Sequence, residues 1–192
     1  MLPKSFFEGK KVEELANALL GCELVHETKE GTTAGIIVET ESYHETDEAS
    51  HSYKGKSKRT AVMFGPPGHA YIYFTYGMHY CFNIVAENEG VGAGVLIRAL
   101  EPTGGIELMK KRRNQENIHN LCNGPAKLVQ ALGISKADYG KPIFQGNLYV
   151  TEPKLKDIKI VFGPRIGISK AQQKPWRFWV ENNPFVSGQR KA

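Results

Sequence analysis

Two aromatic-rich runs converge on one glycine in the segment Y-I-Y-F-T-Y-G-M-H-Y-C-F-N at residues 71–83. Aromatic side chains favour strands, and strand side chains alternate between two faces. A turn between two such runs makes a hairpin, which commits the chain to antiparallel pairing. Strands are expected over residues 69–76 and 80–86. With Gly77, Met78 and His79 as a three-residue loop, Tyr76 pairs with Tyr80, Phe74 with Phe82 and Ile72 with Ile84. That register collects an apolar face for the core. The opposite face carries Tyr71, Tyr73, Thr75, Cys81, Asn83 and Val85, with Tyr73 directly across from Asn83. A two-residue loop would mix the faces. Tyr76 is left at the tip.

The rest of the chain supplies partners for this hairpin. Residues 11–20 place Val12, Leu15, Ala16 and Leu19 on one helical face, and Gly21 ends it. Residues 104–113 and 123–132 read as helices, the second with Asn123 as N-cap and Pro125 in its first turn. Strands are expected at 22–26, 34–41 (with the β-branched run Ile36, Ile37, Val38), 95–99, 147–151, 158–161, 165–168 and 177–181. No βαβ alternation appears. A chain of 192 residues suffices for one domain with a sizeable core. The expected fold is α+β: a single domain with a curved, mostly antiparallel sheet, surrounding helices and a protruding β-hairpin.

Charge narrows the partners. There are 25 Lys and Arg against 20 Asp and Glu, a net +5. One basic cluster is Lys54, Lys56, Lys58 and Arg59; another is Lys110, Lys111, Arg112 and Arg113. Such clusters suit a polyanion, although each alone reads as a solvated loop or helix end. Three scattered cysteines, Cys22, Cys81 and Cys122, lack C-x-x-C spacing and read as reduced, mostly buried thiols. No segment approaches the ~20 apolar residues of a membrane span, and the N-terminal segment has no secretory pattern. An intracellular protein is expected, in the cytoplasm or nucleoid if bacterial.

The chemistry-bearing residues lie between Glu39 and Asn83. Glu39, Glu41 and Tyr43 share one strand face by parity. Two carboxylates beside an aromatic can raise one pKa and make a general base; a solvated strand face is the plainer reading. Asp47, Glu48 and His51, with Glu39, Glu41 and His44, could supply metal ligands, but their spacing fits neither a helix-borne H-E-x-x-H nor an EF-hand. A hydrogen-bonded surface suits them better, so no metal is expected. Four tyrosines, Tyr71, Tyr73, Tyr76 and Tyr80, fall within ten positions. They suit a β-rich core, or stacking on bases. A tyrosine at a hairpin tip can also wedge between base pairs. Arg98, inside V-L-I-R-A-L, needs a carboxylate partner if buried.

Six segments then occur in one order: I-V-E-T-E-S-Y (37–43), D-E-A-S-H-S (47–52), M-F-G-P-P-G-H-A-Y-I-Y (63–73), Y-G-M-H-Y-C-F-N-I (76–84), V-L-I-R-A-L-E-P (95–102) and N-G-P-A-K-L-V-Q-A-L (123–132). Over nearly its whole length the chain resembles the alkyladenine DNA glycosylases, the mammalian-type 3-methyladenine DNA glycosylase family. The resemblance implies a repair enzyme that flips alkylated or deaminated purines out of duplex DNA and hydrolyses the N-glycosidic bond without a cofactor. It implies that Glu41 is the general base and that Arg98 and the backbone carbonyl near Ile166 help hold the water. Tyr43 is one pocket wall, His51 and Tyr73 the other, and Asn83 excludes normal guanine. Tyr76 fills the gap left by the flipped nucleotide. Lys54, Lys56, Lys58, Arg59 and Arg165 are expected near the DNA backbone or the water. His69 and His79 map to no role.

The resemblance implies a monofunctional glycosylase, acting as a monomer on double-stranded DNA containing damaged purines, in one domain over residues 1–192. No lysine falls within the carboxylate motif, so a Schiff-base lyase is not expected. Two other readings stay open on the residues alone: a non-catalytic nucleic-acid-binding module, and a metal-dependent hydrolase. A polyanion binder gains nothing from carboxylates in its pocket.

Overall fold

The computed structural model describes residues 1–75 and 79–188. Eight strands run β1 Cys22–Thr28, β2 Gly31–His44, β3 Ala70–Thr75, β4 His79–Val85, β5 Ala93–Gly104, β6 Leu148–Pro153, β7 Ile160–Gly163 and β8 Arg177–Val180. The three α-helices among the described residues are α1 Val12–Ala18, α2 Ile106–Arg113 and α3 Pro125–Leu132. The strands form one open sheet in the order β3-β4-β5-β2-β1-β6, with β8 paired to both β2 and β7. Every strand pairing is antiparallel. The α+β architecture is as the pattern predicts. No helix among the described residues is long and apolar enough to cross a membrane.

Strand β2 is the axis of the sheet. Its first half, Gly31 to Ile36, pairs with β1, and β5 lies along its other edge. Beyond Ile36 the β1 edge is taken over by β8, which pairs Trp179, Phe178 and Arg177 with Glu39, Thr40 and Glu41. Register shifts on the β5 side flank Glu39, and such bulges bend a strand and re-aim its side chains. Glu39, Thr40, Glu41 and Ser42 are therefore at 0% exposure, in the middle of the sheet. Two buried carboxylates overturn the solvated-face reading of this segment.

Helix α1 covers this stretch. Leu15, Ala16 and Leu19 are buried, and the carbonyls of Ala16 and Val12 accept hydrogen bonds from Thr40 and Ser42. Helix α3 packs on β4 and β5 through Leu128, Val129 and Leu132. Its N-cap is Gly124, one residue later than expected; Asn123 instead accepts Lys127 Nζ at 2.7 Å. Residues 165–168 form no strand, because Arg165 turns inward and Gly167 takes φ +77°. The three cysteines are free and buried.

The hairpin forms with a register two residues from the expected one. Tyr71 pairs with Asn83, Ile72 with Phe82, Tyr73 with Cys81 and Thr75 with His79. A two-residue shift preserves every side chain's face, so the alternating pattern cannot distinguish the registers. The two faces contain the expected residues, but Tyr73 sits across from Cys81, and Asn83 faces Tyr71. Phe74, expected in the core, is 51% exposed and packs on Tyr80 with ring centroids 4.9 Å apart. Tyr80 pairs with Phe74 instead of the expected Tyr76; the placement of Tyr76 at the tip lies outside the described residues.

Candidate active site

A cleft of about 450 Å³ opens where β2, β3, β4 and β5 meet the loop after β7. Tyr43, His51, Tyr73, Asn83, Arg98 and Ile166 all line it. These six come from six separate segments, and the fold brings them to one place. Glu41 lies directly behind this wall. Its Oε1 accepts the Ile166 amide at 2.8 Å, its Oε2 accepts the Tyr43 hydroxyl at 2.8 Å, and Arg98 Nη1 stands 3.5 Å from Oε1. Ile166 thus meets Glu41 through its N–H.

Burial raises the Glu41 carboxyl above the ordinary carboxylate range. Arg98, the Ile166 amide and the Tyr43 hydroxyl oppose that rise, and the negative charge of Glu39 adds to it. Burial, then Glu41, push the Tyr43 hydroxyl well up, so it stays a donor. The result is a carboxylate with an elevated proton affinity, fixed by two hydrogen bonds and flanked by one cation. Those are the properties of a general base.

The aromatic wall has its own scaffold. His51 Nδ1 is 3.0 Å from the Tyr71 hydroxyl, and Arg59 Nη2 is 3.1 Å from His51 Nε2. An arginine nitrogen only donates, so Nε2 accepts and the proton sits on Nδ1. The imidazole packs edge-on against Tyr73 with centroids 4.5 Å apart. Desolvation of the ring against the tyrosine wall, although His51 keeps an exposed edge, and then Arg59 lower it to about 4, which keeps it neutral. Tyr71, fully buried, stacks beside Tyr73 and packs with Met63 and Val85 in a small second core. Asn83 is buried, and its Nδ2 donates to the Tyr71 carbonyl at 3.2 Å.

Arg165 departs from its expected place near the DNA backbone. Its side chain is at 0% exposure and ion-pairs with Asp47, also at 0%. Nη1 also donates to the Ser42 carbonyl at 2.9 Å, and the guanidinium lies over the Tyr43 ring at 4.6 Å. A buried guanidinium cannot reach a phosphate; it anchors the loop that carries Ile166. The acidic-histidine cluster also disperses. His44 bonds Thr46, Glu48 pairs with Lys170, and Asp47 pairs with Arg165. No three His, Cys, Asp or Glu side chains gather as metal ligands among the described residues. Lys54, Lys56, Lys58 and Arg59 are exposed on the loop beside the cleft. His69 bonds the Pro66 carbonyl away from the cleft, and His79 begins β4 on the surface.

Sequence reasoning missed three contributors. Arg177 and Ser187 both bond Glu39, and Asp47 holds Arg165. Asp47 opens the segment D-E-A-S-H-S, and Arg177 is a charge opening an apolar strand; each is a usable signal. Ser187 gave none.

A family model described as methylpurine-DNA glycosylase matches residues 5–184. The chain is 48% identical over 186 residues to a protein of Rhodopseudomonas palustris, covering 97% of this chain and 90% of that one. It is 48% identical over 190 residues to one from Carboxydothermus hydrogenoformans, covering 97% and 98%. A Methanoculleus marisnigri protein is 47% identical over 190 residues, with the same coverage of 97% and 98%. All three bear names that provisionally assign them as 3-methyladenine DNA glycosylases. With a match across almost the whole chain and relatives of nearly equal length, the chain belongs to the methylpurine-DNA glycosylase family.

Proposed function

We propose that the chain is a single DNA repair glycosylase domain over residues 1–192 that releases damaged purines from duplex DNA. The observation that carries this reading is Glu41: a fully buried carboxylate, raised in pKa, held behind an aromatic cleft and flanked by Arg98. Neither a simple DNA-binding surface nor a structural ion pair needs that combination.

The target nucleotide would leave the stack and enter the cleft. Tyr43 has one ring face on Arg165 and borders the cleft, so its other face would meet the base. His51 and Tyr73 form the opposite wall. An alkylated purine carrying positive charge gains cation–π attraction there, about 2 kcal/mol when desolvated, which a normal base does not. Asn83 would read the purine edge and reject the 2-amino group of guanine. Tyr76 would occupy the vacated stack. Lys54, Lys56, Lys58 and Arg59 would follow the phosphates.

Chemistry then needs one water, held between Glu41 and Arg98. Arg98 Nη1 stands 3.5 Å from Glu41 Oε1 in direct ion-pair range, so the water would sit beside that contact on the cleft side and bond both groups. As the C1′–N bond breaks, its electron pair leaves with the purine, which for a cationic base departs neutral. The water oxygen bonds C1′, and its proton passes to Glu41. An abasic site remains. The carboxylate also stabilises positive charge developing on the sugar. The nucleophile is water, which makes the enzyme monofunctional; a monomer acting within the cell completes the reading.

The test uses duplex DNA methylated with dimethyl sulfate, with released bases separated by chromatography. The parent chain releases methylpurines; Glu41→Gln releases none above the spontaneous rate yet still retains the methylated duplex in a gel-shift assay. Release by Glu41→Gln at the parental rate would sink the general-base assignment. An adduct trapped by borohydride would overturn the monofunctional reading.

A further inference from the structure

We propose that Glu39 and Ser187 are positioning residues: they fasten Arg98 by its Nε so that its Nη1 faces Glu41, which makes the C-terminal segment part of the active site. This rests on the reading of Glu41 as the general base.

Glu39 collects four contacts. Arg98 Nε lies 3.1 Å from its Oε1, Arg177 Nε donates at 2.6 Å, and Ser187 donates through its amide at 2.6 Å and its hydroxyl at 2.9 Å. Arg98 Nε is also 3.0 Å from Ser187 Oγ. One end of the Arg98 fork is thus held from two sides, while Nη1 reaches toward Glu41 at 3.5 Å. The segment that brings Ser187 is well seated: Phe185 and Val186 are 8% and 2% exposed, and Ser187 is 5%. The family match ends at residue 184, so Ser187 lies beyond it.

A purely structural pairing for Glu39 is already available. Arg177 bonds it, donates to the Ser187 carbonyl and packs over the Trp179 ring at 4.5 Å. Arg98 adds a second cation that also borders the cleft. Released from Glu39 and Ser187, the guanidinium would be free to swing onto Glu41 and pair with it bidentately, the geometry arginine favours with carboxylates. That pairing would occupy the base and weaken it.

The direction of the effect follows from what surrounds Glu41. Strand β2 presents Glu39 and Tyr43, β5 presents Arg98, β3 Tyr73 and β4 Cys81; the loop after β7 presents the Ile166 amide. Arg165 stands beyond Tyr43. Glu39 is the other carboxylate near Glu41 among these groups. Removing its charge, and freeing Arg98, both lower the proton affinity of Glu41. The acid limb of the pH–rate profile then moves to lower pH while the rate falls. A role confined to folding would not move that limb.

The experiment measures single-turnover release of methylpurines from dimethyl-sulfate-methylated duplex across the acid-to-neutral range. It compares the parent with Glu39→Gln, Ser187→Ala, Ser187→Thr and the Glu41→Gln control. Glu39→Gln is expected to lose about 100-fold in rate, as a misplaced reacting group does, with its acid limb displaced downward. Ser187→Ala loses about tenfold, the order of one hydrogen bond to a charged group, with the limb displaced the same way. Ser187→Thr, which keeps the hydroxyl, recovers both. Binding of the methylated duplex stays at the parental level throughout. If circular dichroism shows Glu39→Gln unfolded, the two Ser187 variants decide. A parent that releases no base overturns the glycosylase reading and this inference with it. A Ser187→Ala chain that matches an active parent in rate and limb overturns the inference alone.

Discussion

The amide of Ile166 donates to Glu41 Oε1 at 2.8 Å, joining two residues 125 positions apart. Glu41 is therefore held by a loop as well as by its own strand. Gly167, at φ +77°, lets that loop turn immediately afterwards, where a larger residue would be strained. What fixes the loop also tunes the Glu41 carboxyl, and its consequences can be measured.

The pH dependence of base release should show it directly. A general base must be ionised, so the rate falls as pH falls through its folded-state pKa. Burial raises that value above the 4.5 of a free glutamate, so the acid limb lies above the ordinary carboxylate range. Tyr43→Phe keeps the ring but removes a donor that favours the ionised form. Its acid limb should move to higher pH in single-turnover assays. A limb that stays or moves downward would show that the hydroxyl does not act on Glu41. Stability runs the opposite way: the contribution of a raised carboxyl is fully present below its unfolded pKa and is lost as pH rises through the folded one.

Asp47→Asn should be strongly destabilising. It leaves Arg165 buried at 0% side-chain exposure without its counter-ion. Breaking such a pair from one side costs about 3–5 kcal/mol. Lys174, 3.9 Å from Asp47, is a second cation and cannot compensate. Urea unfolding should show the midpoint reduced; an unchanged midpoint would mean that the pair contributes little to folding.

Much of this site was legible from parity and composition because its parts lie on strands. Glu41, Tyr43, Tyr73, Asn83 and Arg98 all sit on β2 to β5, where alternation assigns the face. Alternation could not give the hairpin register, since a two-residue slip leaves every face unchanged. Nor could it reveal that β8 replaces β1 beside Glu39 and Glu41, the long-range pairing that buries them. Arg165 read as a strand residue facing phosphates because its partner, Asp47, is 118 positions away. Ser187 was invisible for the same reason: its role is set by Glu39, 148 residues earlier.

His51 should not titrate between pH 5 and 8. Its imidazole is lowered to about 4 from 6.5, first by burial and then by Arg59. The folded protein prefers the neutral ring, so the stability this provides is present above 6.5 and is lost as pH falls toward about 4. Proton NMR of the ring should show no transition near neutrality. Arg59→Ala should raise the value part of the way, because burial, the larger cause, remains. A His51 titration near 6.5 in the parent chain would show that desolvation and Arg59 do not hold the ring neutral.

The two basic clusters should behave differently toward salt. Lys54, Lys56 and Lys58 are exposed beside the cleft. In the second cluster Arg112 pairs with Glu30, Lys110 with Glu107 and Glu116, and Arg113 bonds Gln130. Each phosphate contact contributes about 0.9 to the slope of log affinity against log salt for B-form DNA. Replacing Lys54, Lys56 and Lys58 together with alanine should therefore flatten the slope by up to about 2.7. Affinity should fall equally for methylated and undamaged duplex, because phosphates carry no lesion information. The release rate at saturating DNA should be kept. Alanine at Lys110 and Arg112 should leave the slope unchanged, since those cations already have carboxylate partners within the protein. The reverse pattern, with the slope responding to Lys110 and Arg112 but not to the triple variant, would put the DNA on the other side of the molecule.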